Sequence, residues 1–246
     1  RGVFSNIAAS TNERTFLATI IPKRSVCPDT NLVIRRMAPD RDGNPIENIG
    51  SRETAFLVSV INSFIGDFII RFKITTHLDM HFVYTMPIPR IKETDAVFLP
   101  IVARCARLLC VDEYYSDLWK ELYKEDFGRP DFWYPTAAVQ IDSYGPQHEQ
   151  EIRRRLAEES VNLTPEWTPA SGVHDRKADR RDTGDRAQLR AEIDAHVAHL
   201  YGLTRDDFSY ILDTFPVLKR KEEQSFGEFM SKRKCLEEYD RIATIL

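Results

Sequence analysis

A chain of 246 residues that is 42% hydrophobic and 29% charged has enough apolar mass for a core and enough charge for a wetted surface. No apolar run is long enough to cross a bilayer, and no cleavable apolar leader follows Arg1-Gly2-Val3-Phe4-Ser5, so the expectation is a cytoplasmic protein with no membrane partner. The net charge of −4 excludes a uniformly basic surface, but residues 1–92 hold 12 Lys+Arg against 8 Asp+Glu while the remainder holds 22 against 30, so contact with phosphate is expected through the first part.

Val3 to Ala8 and Thr15 to Ile21 read as two strands around the polar turn Ser10–Arg14, a hairpin whose second strand is closed by Pro22. Pro28, Pro39, Gly43, Pro45 and Gly50 make residues 23–50 mostly loop, with a strand at Leu32-Val33-Ile34. From Ser51, the spacing of Leu57, Val60, Ile61, Phe64, Ile65, Phe68, Ile69 and Phe72 predicts one long helix with a broad apolar stripe. Ser51 is its expected N-cap, with Glu53 in the first turn and Arg71 and Lys73 at the end where the helix dipole favours a base. Thr75–Asp79 then reads as a polar turn and His81–Met86 as a strand stopped by Pro87-Ile88-Pro89. Polar and basic side chains thus gather where a buried helix meets a buried strand, a rigid mount for a binding loop.

Beyond Pro89, Thr94 is the expected cap of a helix carrying Phe98, Ile101, Val102, Cys105, Leu108 and Leu109, with Pro100 limiting its start. Tyr114 to Tyr134 holds eight aromatics: Tyr114, Tyr115, Trp119, Tyr123, Phe127, Phe132, Trp133 and Tyr134. That density reads first as core, with stacking on bases as the alternative. Val139–Tyr144 is a short apolar piece and Glu149–Glu159 a charged helix. Thr168–Arg186, with Pro169, Gly172, Gly184 and a dense run of charge, reads as a mobile linker. Ala187–Tyr201 is an amphipathic helix closed by Gly202. Thr204 caps another with Phe208, Ile211, Leu212 and Phe215 inward and Pro216 at its end, and Ser231–Leu246 is a last helix bearing Leu236, Tyr239 and Ile242. The expected class is α+β, with a mixed β-sheet and long helix over 1–92, a helical aromatic-rich extension over 93–167, the linker over 168–186 and a helical tail over 187–246.

The residues offer little for catalysis. His77 and His81 are four apart with Asp79 between, a metal-ligand spacing only on a helix, and with a turn and strand expected they read as ordinary polar residues. His196 and His199 share a helix face but lack a third ligand at motif spacing. Pro130-Asp131 would suit a metal-dependent nuclease, but the only acid-x-Lys, Asp175-Arg176-Lys177, falls in the linker, without the rigid frame a cation site needs. There is no nucleophile elbow and no glycine-rich phosphate loop, so the chain alone is expected to be non-catalytic. Cys27, Cys105, Cys110 and Cys235 are scattered and form no C-x-x-C pair, which fits a reducing compartment. The turn Ser10–Arg14 says more. Its hydroxyls, amide, carboxylate and guanidinium can read base edges or grip phosphate, Arg to guanine and Asn to adenine. It can equally satisfy its own backbone, with Arg14 paired to an acid.

Ile7-Ala8-Ala9-Ser10-Thr11-Asn12-Glu13-Arg14-Thr15 followed by Ile20-Ile21-Pro22 resembles the target-recognition region of type IIG restriction–modification proteins and of related adenine-specific DNA methyltransferases of phage-defence systems. Val60-Ile61-Asn62-Ser63-Phe64, Asp67-Phe68, Arg71 and Pro87-Ile88-Pro89 are similar to that region's helix and following strand. Tyr201-Gly202-Leu203-Thr204, Tyr210 to Pro216 and Gly227-Glu228-Phe229 resemble the extreme C-terminus of those proteins, and the three blocks stand in the family's order. The resemblance implies a C-terminal piece of a larger enzyme, consistent with the missing initiator Met. In the parent, a methyltransferase core would bind S-adenosylmethionine and flip the adenine. No cofactor is expected in this part, whose partners would be double-stranded DNA and the methyltransferase core of the same polypeptide. Asn44-Pro45-Ile46 lacks the second proline and the aromatic ring of the catalytic motif, so methyl transfer is not expected from these residues. Thr11, Asn12, Arg14 and Lys23 are the first candidates for DNA contact, and Arg71, Lys73, Thr76 and His77 the next. For Arg14 the alternative is a buried ion pair. For the whole chain the alternatives are a module that docks the core or a partner subunit through the C-terminal helices without touching DNA, and a nuclease.

Overall fold

The computed structural model describes residues 1–9, 11–74, 76–135, 144–174 and 184–246. Ser10, Thr75, most of the short apolar piece (139–143) and the part of the expected linker that holds Asp175-x-Lys177 lie outside the described residues.

The fold is α+β. In the first sheet, β1 (Gly2–Ser5) runs antiparallel to both β2 (Ala18–Ile20) and β3 (Asn31–Ile34), in the order β2-β1-β3, with Val3 opposite Thr19 and Val33. The link from β1 to β2 is no tight turn. Ile7 forms an antiparallel bridge with His77, the Ala8 amide donates to the Thr76 carbonyl (3.2 Å), and the Leu78 amide donates to the Asn6 carbonyl (2.8 Å). Thr76–Leu78, expected as a turn, is therefore an extended rung. A second hairpin, β4 (Met37–Pro39) with β5 (Pro45–Glu47), occupies a stretch expected to be loop. Its tip is closed by the Asp40 carboxylate, which accepts from the amides of Asp42 and Asn44, and by Gly43 in the left-handed region at φ +86°.

The expected long helix is two helices, α1 (Ser51–Asn62) and α2 (Phe64–Arg71), meeting at 63°. Ser63 breaks them apart. It is extended, and its hydroxyl turns back to accept from the Gly66 amide at 3.0 Å, which makes it the N-cap of α2. Gly50, not Ser51, holds the N-cap position of α1, and the Ser51 hydroxyl bonds Glu121 instead. Of the stripe, Val60, Ile61, Phe64 and Ile65 are buried and Leu57, Phe68 and Ile69 half-buried, while Phe72 is exposed and Ile70, outside the stripe, is buried. Where a strand was expected, α3 (Met80–Tyr84) forms one helical turn with no fully buried residue. Lys73 closes its C-terminal end by donating to the Thr85 carbonyl at 3.0 Å.

In α4 (Phe98–Leu109) Val97, not Thr94, is at the cap, and Pro100 sits in the first turn, where its missing N–H costs nothing. Of the aromatics around α5 (Ser116–Leu122) and α6 (Pro130–Trp133), Trp119, Phe127, Trp133 and Tyr134 are core, while Tyr114 stays exposed. The buried indoles are satisfied, Trp119 by the Thr164 carbonyl (2.8 Å) and Trp133 by that of Phe127 (2.9 Å).

Then come α7 (Gln147–Ser160), α8 (Asp185–Leu200), α9 (Arg205–Asp213), α10 (Pro216–Phe226) and α11 (Met230–Ile242). Thr168–His174, assigned to the linker by composition, is packed in place: Ser171 and Val173 are buried, and the Val173 amide donates to the Arg107 carbonyl at 2.8 Å. A Cβ on Gly172 would sit 2.6 Å from the Cys110 carbonyl oxygen and the Val111 Cα, so only glycine fits. The helix expected to be amphipathic, α8, is instead buried all round from Ala191 to Ala198, with Arg190 exposed. Its polar residues join an internal network: Arg104 donates to Glu192 (2.6 Å), Arg153 and Arg241 to Glu238 (2.7 Å each), and Gln188 to both glutamates. As expected, Thr204 caps α9 within a full capping box, and Gly202 (φ +66°) follows α8. Pro216, expected only as a stop, begins the additional helix α10.

One large apolar cluster runs from Ile20 through Phe64, Trp119 and Leu156 to Leu236. A smaller one, with Phe4, Phe16, Ile61, Ile70, Leu78 and Met86, joins the first sheet to α1 and α2. Among the described residues no single helix is long and apolar enough to cross a membrane. The α1–α2 pair reaches that length only across its bend, and most of its apolar residues are buried.

Candidate nucleic-acid interface

Asp67 organises the region that holds most of the sequence-predicted contacts. It lies in the first turn of α2, where the helix dipole favours a carboxylate, and it is fully buried. One oxygen accepts from Arg14 Nε and from the Thr15 amide, both at 2.9 Å, and the other accepts from Arg71 Nε at 2.9 Å. The guanidiniums are engaged further. Arg14 donates to the Asn62 carbonyl and lies over the Phe64 ring, 4.2 Å from its centroid. Arg71 donates to the carbonyls of Asn12 (2.8 Å) and Glu13 (2.9 Å) and lies 4.2 Å over Phe215. The two arginine side chains are only 21% and 12% exposed. One buried acid thus holds two cations and locks the chain from Asn12 to Thr15 onto α2.

This bracing points Thr11 and Asn12 outward. Both are exposed, and neither side chain has a partner among the described residues. They line an open cleft of about 510 Å³ with Arg71, Phe72, Tyr210 and Thr214. Phe72 is 77% exposed and Tyr210 is 67% exposed, an unusual state for large aromatic rings. The Phe72 ring is steadied edge-on by Phe68, at 4.9 Å between centroids.

The other candidates spread out. Lys73 lies two residues beyond the end of α2 and bonds Thr85, with no carboxylate partner among the described residues. Thr76 and His77 are exposed on the rung beside Ile7, joined by a 3.1 Å contact between the Thr76 hydroxyl and His77 Nδ1. Lys23 is elsewhere. It pairs with Asp117 (3.1 Å) and Glu121 (3.4 Å) on α5, near the N-terminal end of α1, while Arg71 closes the far end of α2. Those hydrogen bonds, Asp117 first, hold its ammonium above the usual lysine range.

Phe72 and Tyr210 were not among the sequence candidates. For Tyr210 a signal existed: Phe208, Ile211, Leu212 and Phe215 define the buried face of α9 and its C-terminal end, and Tyr210 lies off it. For Phe72 the helical period misleads, because α2 ends at Arg71 and the ring spills over the end.

Behind the turn, a small cavity of about 150 Å³ is lined by Arg14, Phe64, Asp194, Glu222 and Lys234. Asp194 accepts from the Phe64 amide at 2.7 Å, adding a second acceptor at the start of α2. Burial pushes its carboxyl up to about 7, against the opposing pull of the Arg14 guanidinium and that hydrogen bond.

The histidine pairs do not make ligand sets. His77 precedes α3, so it shares no helix face with His81. His196 is buried and held neutral by desolvation, while His199 stacks on Tyr239 at 4.0 Å and contacts its carbonyl. Among the described residues no group of three or more His, Cys, Asp or Glu side chains could hold a metal ion. Burial also pushes the Cys105 thiol up to about 11, far from a thiolate nucleophile. No protein-family model, curated protein or solved structure matches this chain.

Proposed function

We propose that this chain is a sequence-specific DNA target-recognition module, the C-terminal part of a cytoplasmic adenine-specific DNA methyltransferase of the restriction–modification or phage-defence kind. The methyl donor S-adenosylmethionine and the reaction centre belong to the upstream core of the same polypeptide, and this part reads the duplex without catalysing a reaction. One observation supports the reading above the others: a turn braced by a buried carboxylate presents the exposed Thr11 hydroxyl and Asn12 amide, neither with a partner among the described residues, on the wall of an open, aromatic-edged cleft. Base edges are read by such groups when their backbone is rigid, since a fixed donor–acceptor pair loses little ordering entropy on binding. In this reading Thr11 and Asn12 make the contacts, Lys73, Thr76 and His77 flank them, and Arg14 and Arg71 hold the turn. Lys23 lies with the acids of α5 and is no part of the reading face.

The test is the salt dependence of binding to short duplexes. Each neutralised phosphate contributes a slope of about −0.9 in log affinity against log salt. A slope of about −3 or steeper supports the proposal; affinity independent of salt counts against it. The second reading, a docking module without DNA contact, is favoured by one feature: Ile7, Leu17, Val26, Met37 and Ile46 are exposed apolar residues in the first part of the chain. Its original form, docking through the C-terminal helices, loses α8, whose faces are used within the chain.

A further inference from the structure

The cleft beside Asn12 carries two exposed aromatic rings on its lining. Phe72 and Tyr210 come from different parts of the chain, one at the end of α2 and the other on α9, yet both line this cleft and leave their rings open to solvent. Exposing two large rings in one place forgoes the burial each would gain, and flat rings beside a free amide suit a flat heterocycle. The polar groups fit as well. Asn12 offers one acceptor and two donors, the pattern that pairs with the amino group and ring nitrogen of adenine, and the Thr11 hydroxyl serves either role. Charge is complementary to a nucleotide: Arg14 and Arg71 share the single carboxylate of Asp67, and Lys73, next to Phe72, has no acid partner among the described residues. Two of the acids nearby are already paired, Glu13 with Lys221 and Asp213 with Lys232, while Asp206, one turn before Tyr210 on α9, is exposed.

We infer that this cleft binds one unstacked base of the DNA, an adenine, between or against the rings of Phe72 and Tyr210, with Asn12 reading its polar edge. The inference rests on the DNA-recognition reading and narrows it. Arg71 is a positioning residue: it fixes the Asn12 carbonyl and so sets where the amide points.

The test uses the full chain and three fluorescent DNA probes of equal length: a paired duplex, the same duplex with one bulged adenine, and one with a bulged cytosine. A 2-aminopurine at the bulge reports stacking. The expected result is at least tenfold tighter binding of the adenine bulge than of the paired duplex, with quenching of the 2-aminopurine. Phe72→Ala and Tyr210→Ala, both at exposed positions, should each weaken bulge binding by roughly 5- to 150-fold, the range for loss of one base–aromatic stack. Phe72→Trp should retain binding. Asn12→Ala should erase the preference for adenine over cytosine. Equal affinity for paired and bulged duplexes, with no effect of Phe72→Ala, overturns the inference and leaves duplex recognition standing. No binding to any probe at low salt overturns both. Adenosine monophosphate binding as tightly as the bulged duplex also overturns it, since the cleft would then serve a free nucleotide.

Discussion

Replacing Asp67 with alanine removes one buried carboxylate and strands three donors: Arg14 Nε, Arg71 Nε and the Thr15 amide, each now 2.9 Å from it. Breaking a buried ion pair from one side typically costs about 3–5 kcal/mol, because the remaining charge stays poorly solvated. Here the lower end applies. Both guanidiniums keep carbonyl acceptors, at Asn62, Asn12 and Glu13, and keep the faces of Phe64 and Phe215. Asp67→Ala should therefore destabilise the chain by about 3 kcal/mol, a large fraction of the roughly 5–15 kcal/mol of an ordinary domain. The assay is urea unfolding at neutral pH, comparing midpoints at constant slope. A second readout localises the damage: trypsin should cut after Arg14 in the variant and spare it in the parent chain, because the turn loses its anchor. A loss below about 1 kcal/mol with Arg14 still protected would show that the carboxylate does not brace the turn.

Asp194→Asn should be stabilising at pH 8 and nearly neutral below pH 4. The folded carboxyl titrates at about 7 against an ordinary 3.8, so the folded state holds its proton more tightly; that stability is full below 3.8 and lost as pH rises to about 7. The upper bound is roughly 4 kcal/mol, read as melting temperature against pH, and a variant whose curve parallels the parent's would contradict the assignment. Gly66→Ala should cost about 1–3 kcal/mol, since a Cβ there collides with the Val60 and Ile61 carbonyl oxygens at the α1–α2 bend; unchanged unfolding would mean that the bend relaxes freely. Tyr210→Ala should leave the melting temperature unchanged while weakening DNA binding, and a loss of stability instead would place the ring in the core.

The local patterns carried the fold a long way. The 3.6 period found the buried face of α1, α2, α4 and α9, and Thr204, Gly202 and Pro216 marked ends or starts by their own chemistry. The failures share a cause, which is that the deciding partner is remote in sequence. Arg14 and Asp67 are 53 residues apart, so the turn alone left open whether its guanidinium reads DNA or pairs with an acid, and the fold gives the ion pair. Ser63 breaks a continuous apolar stripe by choosing a cap over a helical turn, with Asp194, 130 residues on, accepting from the next amide. His81–Met86 has strand-favouring residues, but the pairing edge is used by Thr76–Leu78, and Lys73 closes the helical turn that comes next. Of the expected linker, the charge run over 175–183 lies outside the described residues, and Gly172 and Val173 before it pack on the end of α4. Pro39 and Pro45 suggested loop, yet they face each other at the end of a ladder, where Pro is tolerated.

The most direct test of the proposed reading face is selection from a randomised duplex library at low salt, run in parallel with the parent chain and Asn12→Ala. The parent should enrich a defined motif, and the variant should enrich the same motif with one adenine position relaxed, the loss of a contact worth about 1–3 kcal/mol. Enrichment of no motif, or an identical motif from both proteins, would contradict the assignment of this cleft to DNA recognition.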